Sequence, residues 1–183
     1  MGAENQNWIP FVATLEKSAV LRVIDPERLP KHEEGWLVIP CADGHRFRNL
    51  WEYHLRKCGH GPCHHPLTEL GGALVLGDKS PLANSKRGFS VDEPLIDKIE
   101  ASLEFKGLRN IAAYTHFPCS AANAVNLSAE EQFELFASAV ERLRSRFENA
   151  YTLGFCHLHY PDDRFKTFFA DIRLYRSVQV SKQ

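Results

Sequence analysis

The chain has 183 residues, 44% of them hydrophobic and 25% charged, with a formal net charge of -1. That is enough chain for one substantial core, and we expect a single α/β domain over residues 1–183. A near-zero charge excludes a general attraction to nucleic-acid phosphates, and no run approaches the roughly 18 apolar residues of a membrane span. Small molecules or other proteins are the expected partners. Residues 1–6 carry no basic segment followed by an apolar one, so the expected compartment is the cytoplasm. Nine histidines and five cysteines stand out. An odd cysteine count without a secretion signal argues against a disulfide framework and leaves thiols for metal or catalysis.

Residues 1–35 contain nothing diagnostic and read as an N-terminal extension. The run 36–39, Trp-Leu-Val-Ile between Gly35 and Pro40, reads as a buried strand with Cys41 just past its end. A second apolar run, 73–76, follows Gly71-Gly72 and also reads as a strand. Between them lies a Cys/His-rich stretch, expected to be an elaborate loop with a short helix. From Asp92 to Lys106, Leu95, Ile96, Ile99 and Leu103 recur at helical spacing, with Pro94 in the first turn and Gly107 as a left-handed cap. Residues 110–115 form the next expected buried strand, ending at His116. Ser128 and Glu131 then make a capping box for a helix whose Phe133, Phe136, Val140, Leu143 and Phe147 share one stripe. We read this stripe as core. Residues 151–156 and 168–174 read as closing strands about a turn at Pro161-Asp162-Asp163, with Cys156 in the core. The alternation predicts a mostly parallel central sheet flanked by helices, with an antiparallel strand near the C-terminus.

Parallel sheets of this kind carry reactive groups beyond the carboxyl ends of their strands, where Cys41 and the 116–119 segment fall. Two thiolates and one imidazole can converge there, a donor set suited to Zn²⁺, with one coordination position open. Water in that position becomes hydroxide near neutral pH, and Asp43 is placed to orient it.

The motifs Cys41-Ala42-Asp43-Gly44-His45 and His116-Phe117-Pro118-Cys119 resemble the C-x-D-x-R and H-x-x-C segments of the β-class carbonic anhydrases. The resemblance covers roughly residues 36 to 175. It implies zinc on Cys41, His116 and Cys119, and Asp43 accepting a hydrogen bond from zinc-bound hydroxide. It further implies reversible hydration of CO2 to bicarbonate, and a homodimer or a multiple of dimers. Three positions depart from the pattern. His45 replaces the Arg that pairs with the Asp and holds it off the metal, which would leave Asp43 able to become a fourth ligand unless Arg46, Arg48 or a protonated His45 takes over the pairing. Ser120 stands where the family has Gly, and the substrate-orienting Gln has no match before Cys41. The alternative reading is a zinc protein of the same fold without hydratase activity.

Residues 50–66 are longer than the family leads one to expect and read as a Cys/His-rich insertion. Cys58, His60, Cys63 and His64 are candidates for a second metal site; a lid lending a histidine to the main metal and a plain solvated loop are the other readings. The Cys58 and Cys63 pair also admits a thiol-redox role, although four residues separate them. Phe47, Trp51 and Tyr53 are candidates for a small apolar pocket. No phosphate-binding or dinucleotide-binding glycine motif is present.

Overall fold

The computed structural model describes residues 8–25, 27, 29, 34–58, 64–84, 88 and 90–180, and of His45 and Cys58 the backbone only. In chain order the elements are α1 (Trp8–Lys17), β1 (Leu21–Val23), β2 (Trp36–Ile39), α2 (Gly44–Cys58), β3 (His64–Pro66), α3 (Asp92–Lys106), β4 (Asn110–Phe117), α4 (Ser120–Ala124), α5 (Ala129–Arg146), β5 (Tyr151–His159), β6 (Phe165–Ala170) and α6 (Ile172–Val180). The six strands form one sheet in the order β1-β6-β5-β4-β2-β3. Strands β3, β2, β4 and β5 are parallel, while β6 and β1 join antiparallel at one side. This is the α/β architecture expected from the alternation of elements. Among the described residues no helix is long and apolar enough to cross a membrane.

The central strand β4 is buried at all eight positions because helices cover both faces of the sheet. On one face Leu37, Ile39, Ile111, Ala113 and Phe117 pack with Phe133, Phe136, Val140 and Leu143 of α5 and Leu95, Ile96 and Ile99 of α3. On the other, Trp36, Val38, Ala112, Tyr114, Leu153 and Phe155 pack with Leu50, Trp51 and Tyr53 of α2. The Ser128/Glu131 capping box starts α5, with the Ser128 hydroxyl accepting from the Glu131 N–H at 3.2 Å and the Ser128 N–H donating to Glu131 Oε2 at 2.8 Å. Gly107, at φ 62°, caps α3 as its sequence position implies.

Three segments differ from expectation. Residues Gly72–Leu76 form a buried 3-10 helix and no strand. A short apolar run reports burial alone, and Gly71 (φ 86°) and Gly72 (φ 58°) turn the chain too sharply to enter a ladder. The closing strand stops at Ala170, because the Asp171 carboxylate accepts the Leu174 N–H at 3.0 Å and starts α6 there. Ile172 and Tyr175 are then buried at helical spacing. The Cys/His-rich stretch is no loop up to Cys58: α2 runs 15 residues from Gly44, buries Leu50 and His54, and is followed by β3 on the edge of β2. The first 35 residues also contribute structure, since Trp8, Val12 and Leu15 of α1 enter the core and β1 pairs with β6.

Candidate metal centre

Strand β2 has β3 on one side and β4 on the other, so the chain reverses its direction of winding between β2 and β4. In an open α/β sheet, a crevice lies beyond the carboxyl ends of the strands at such a reversal. Cys41 follows β2 by two residues, His116 is the penultimate residue of β4, and Cys119 follows β4 by two. The two sulfurs and a ring nitrogen of His116 all lie within 4.8 Å of one another. All three residues are buried, at 5%, 2% and 1% exposure.

Local structure fixes each donor. The Ala42 N–H donates to the Glu69 carbonyl at 2.9 Å, and the Gly71 N–H donates to Cys41 Sγ at 3.2 Å. That approach requires glycine at 72, where a Cβ would sit 2.6 Å from the Cys41 backbone nitrogen. His116 Nδ1 lies 2.8 Å from the Pro118 carbonyl. A carbonyl only accepts, so Nδ1 carries the proton and Nε2 keeps a bare lone pair. Nε2 is buried without a hydrogen-bond partner, as a nitrogen kept for a metal would be. Gln132 braces the strand end by donating to Thr115 Oγ1 at 3.0 Å and to the His116 carbonyl at 2.8 Å. Cys119 is the N-cap of α4, and the side chain of Ser120 is exposed, so the Ser in place of Gly meets no obstruction.

The adjacent sulfurs share a proton unequally. The Cys119 thiol, then His116 and the Gly71 N–H, hold the Cys41 thiol well below its ordinary value against the opposing effect of burial. Cys119 is pushed up by Cys41 and by burial. A cation held between them would replace that proton. Two thiolates and an imidazole suit Zn²⁺, whose tetrahedral bonds of about 2.3 Å to sulfur and 2.0 Å to nitrogen set the donors roughly 3.5–3.8 Å apart. The three residues fit such an ion.

Asp43 does not belong to this three-residue group. Its Oδ2 accepts from Arg46 Nη1 at 2.7 Å, both side chains being nearly buried at 10% and 6% exposure. The pairing arises because α2 begins at Gly44 and places residue 46 three positions on from Asp43. Of the replacements left open by the sequence, Arg46 does pair with Asp43. Arg48 faces solvent and pairs with Glu52 at 2.9 Å. The side chain of His45 lies outside the described residues.

Of the second candidate site, Cys58, His60 and Cys63 lie outside the described side chains, and so does the Cys58/Cys63 pair of the thiol-redox reading. His64 is described, and its Nδ1 lies 3.2 Å from His54 Nε2, whose ring in turn contacts Tyr114 Oη through Nδ1 at 2.9 Å. Burial and the neighbouring His64 lower His54 to about 3. Phe47 stacks on Trp51 at 6.0 Å and Trp51 on His54 at 6.0 Å, while Tyr53 donates to the Thr167 carbonyl at 3.3 Å. Trp51 and Tyr53 thus pack between α2 and the sheet. Cys156 is fully buried, which raises its thiol, and it stays out of the metal group as expected.

One residue beside the cluster escaped the sequence reading. His157 of β5 lies in register with His116 and is 1% exposed. Burial, then the charges of His116, His159 and Arg46, lower it to about 3. Extending the 151–156 strand by three residues, through the alternation His157-Leu158-His159, would have put it on the strand, though not beside His116.

No protein-family model matches the chain, and no curated protein sequence matches it. Among solved structures it is similar to the β-carbonic anhydrase CafD of the filamentous fungus Aspergillus fumigatus. The wild-type enzyme aligns with a TM-score of 0.52 and 12% identity, covering 82% of this chain and 99% of that one. A single-residue variant of it gives 0.51, 12%, 82% and 98%. At this identity the likeness is one of fold: the mixed six-stranded sheet flanked by helices is shared with these enzymes.

Proposed function

We propose that the chain is a zinc-dependent carbonic-anhydrase-like enzyme, converting CO2 and water to bicarbonate and a proton. The observation that carries this reading is the buried Cys41–His116–Cys119 group at the sheet's switch point, with Asp43 already paired to Arg46 beside it. Cys41 and Cys119 Sγ and His116 Nε2 would hold the ion. When bound, it supplies a water acidic enough to lose its proton near neutral pH. Arg46 neutralises the Asp43 carboxylate and fixes its direction, so that its oxygen accepts a hydrogen bond from the attacking water and aims the lone pair at carbon. One carbon–oxygen bond forms, one C=O π bond opens, and the proton released passes to solvent. Burial of the three ligands excludes bulk water and suits a substrate as small as CO2.

Stopped-flow CO2 hydration on metal-replete protein tests the reading. Saturable hydration above the buffer rate, lost in Cys119→Ala, is expected. A fully metallated protein no faster than buffer overturns it.

A further inference from the structure

Two imidazoles stand side by side on one face of the sheet, and their supports differ in kind. His116 and His157 are in register on β4 and β5, and Thr167 is in register with His157 on β6, so the three form one row. In both histidines Nδ1 is tethered and Nε2 is buried without a hydrogen-bond partner. Beneath His116 the tether is the Pro118 carbonyl, which accepts only and leaves Nε2 bare. Beneath His157 it is the Thr167 hydroxyl, at 2.7 Å from Nδ1. A hydroxyl can donate, and when it does the proton of the imidazole resides on Nε2. The row therefore lets neighbouring rings take opposite tautomers, one for ligation and, when the Thr167 hydroxyl donates, the other for donation.

Metal ligation accounts for the first unpartnered nitrogen and leaves the second without an explanation. His157 does not belong to the group whose donor atoms lie within 4.8 Å of one another, so it is no fourth ligand in this arrangement. Its ring orientation is set from two sides, by Thr167 and by the Phe165 ring stacked at 5.8 Å. Buried polar nitrogens in native proteins are hydrogen-bonded as a rule, and one held rigidly without a partner next to a metal centre marks a place for a ligand atom.

We propose that His157 orients the substrate, its Nε2–H donating to an oxygen of the small trigonal carbon–oxygen species, CO2 or bicarbonate, held at the Cys41–His116–Cys119 site. The assignment rests on the hydratase reading above and adds to it a residue that touches substrate.

The test measures bicarbonate affinity on cobalt-substituted protein, read from visible absorption, for wild type, His157→Gln, His157→Phe and Thr167→Val, with metal content determined for each. Removing one hydrogen bond to an anion is expected to weaken bicarbonate about tenfold in His157→Phe. Thr167→Val shows a smaller loss, His157→Gln retains affinity within about threefold because it keeps a donor, and all four hold one metal. Wild-type affinity in metallated His157→Phe overturns the role of His157 while leaving the hydratase reading in place. Loss of metal in both His157 variants overturns it in favour of a ligand or structural role. Absence of any bicarbonate response in metallated wild type removes the hydratase reading itself, and this proposal with it.

Discussion

Replacing Arg46 by Met should be among the more damaging single changes available near the metal group. The guanidinium and the Asp43 carboxylate are 2.7 Å apart with side-chain exposures of 6% and 10%, so removing the cation takes the guanidinium partner from a nearly buried anion. Breaking such a buried pair from one side costs about 3 kcal/mol or somewhat more. For a chain of this size that is a fall in Tm of roughly 6–12 °C. Urea denaturation followed by circular dichroism measures it. The double variant Asp43→Asn/Arg46→Met should recover much of the loss, since the nearly buried charge is gone, and the cycle isolates the coupling. Arg48→Met is the control: its partner Glu52 is exposed, and the midpoint should stay where it was. If Arg46→Met unfolds at the wild-type midpoint, or Arg48→Met shifts it as much, the assignment of Arg46 as the partner of Asp43 is wrong.

Gly72→Ala should destabilise by about 2–4 kcal/mol, combining a left-handed φ of 58° with a Cβ 2.6 Å from Cys41 N. Gly88→Ala isolates the first contribution, because its φ is 81° but nothing among the described residues lies within 4 Å of the added carbon; equal losses in urea midpoint for the two would refute the close approach at Cys41. A pH dependence follows from His54, lowered from 6.5 to about 3 by burial and by His64. Between those values the unfolded chain binds a proton that the folded chain refuses, so this contribution is complete above about pH 6.5 and is lost as pH falls toward 3. Stability should drop by up to about 1.4 kcal/mol per pH unit from this group, and His54→Gln should flatten the profile; parallel wild-type and variant profiles would show that His54 is not held neutral.

The strands that place the metal group were legible because β2 and β4 are apolar runs bounded by Gly35 and Pro40 and by Gly107 and Pro118. Cys41 and His116-Phe117-Pro118-Cys119 could then be assigned to the same edge from strand direction alone. The partner of Asp43 could not be settled that way. Three basic residues lie within five positions of it, and only the point at which α2 begins decides which one reaches back. Gly72–Leu76 misled because an apolar run of that length is equally compatible with a strand or a tightly wound turn. His157 was missed because its significance is lateral: it derives from register with His116 across two strands, and no spacing along the chain encodes that.

Metal analysis of the protein as purified, without added ions, addresses the three-residue group most directly. About one zinc per chain is expected in wild type and in Cys156→Ala, with the metal lost in Cys41→Ala and Cys119→Ala. A wild-type protein free of metal that also takes up none from excess zinc, or a Cys119→Ala variant that keeps its full equivalent, would contradict the account.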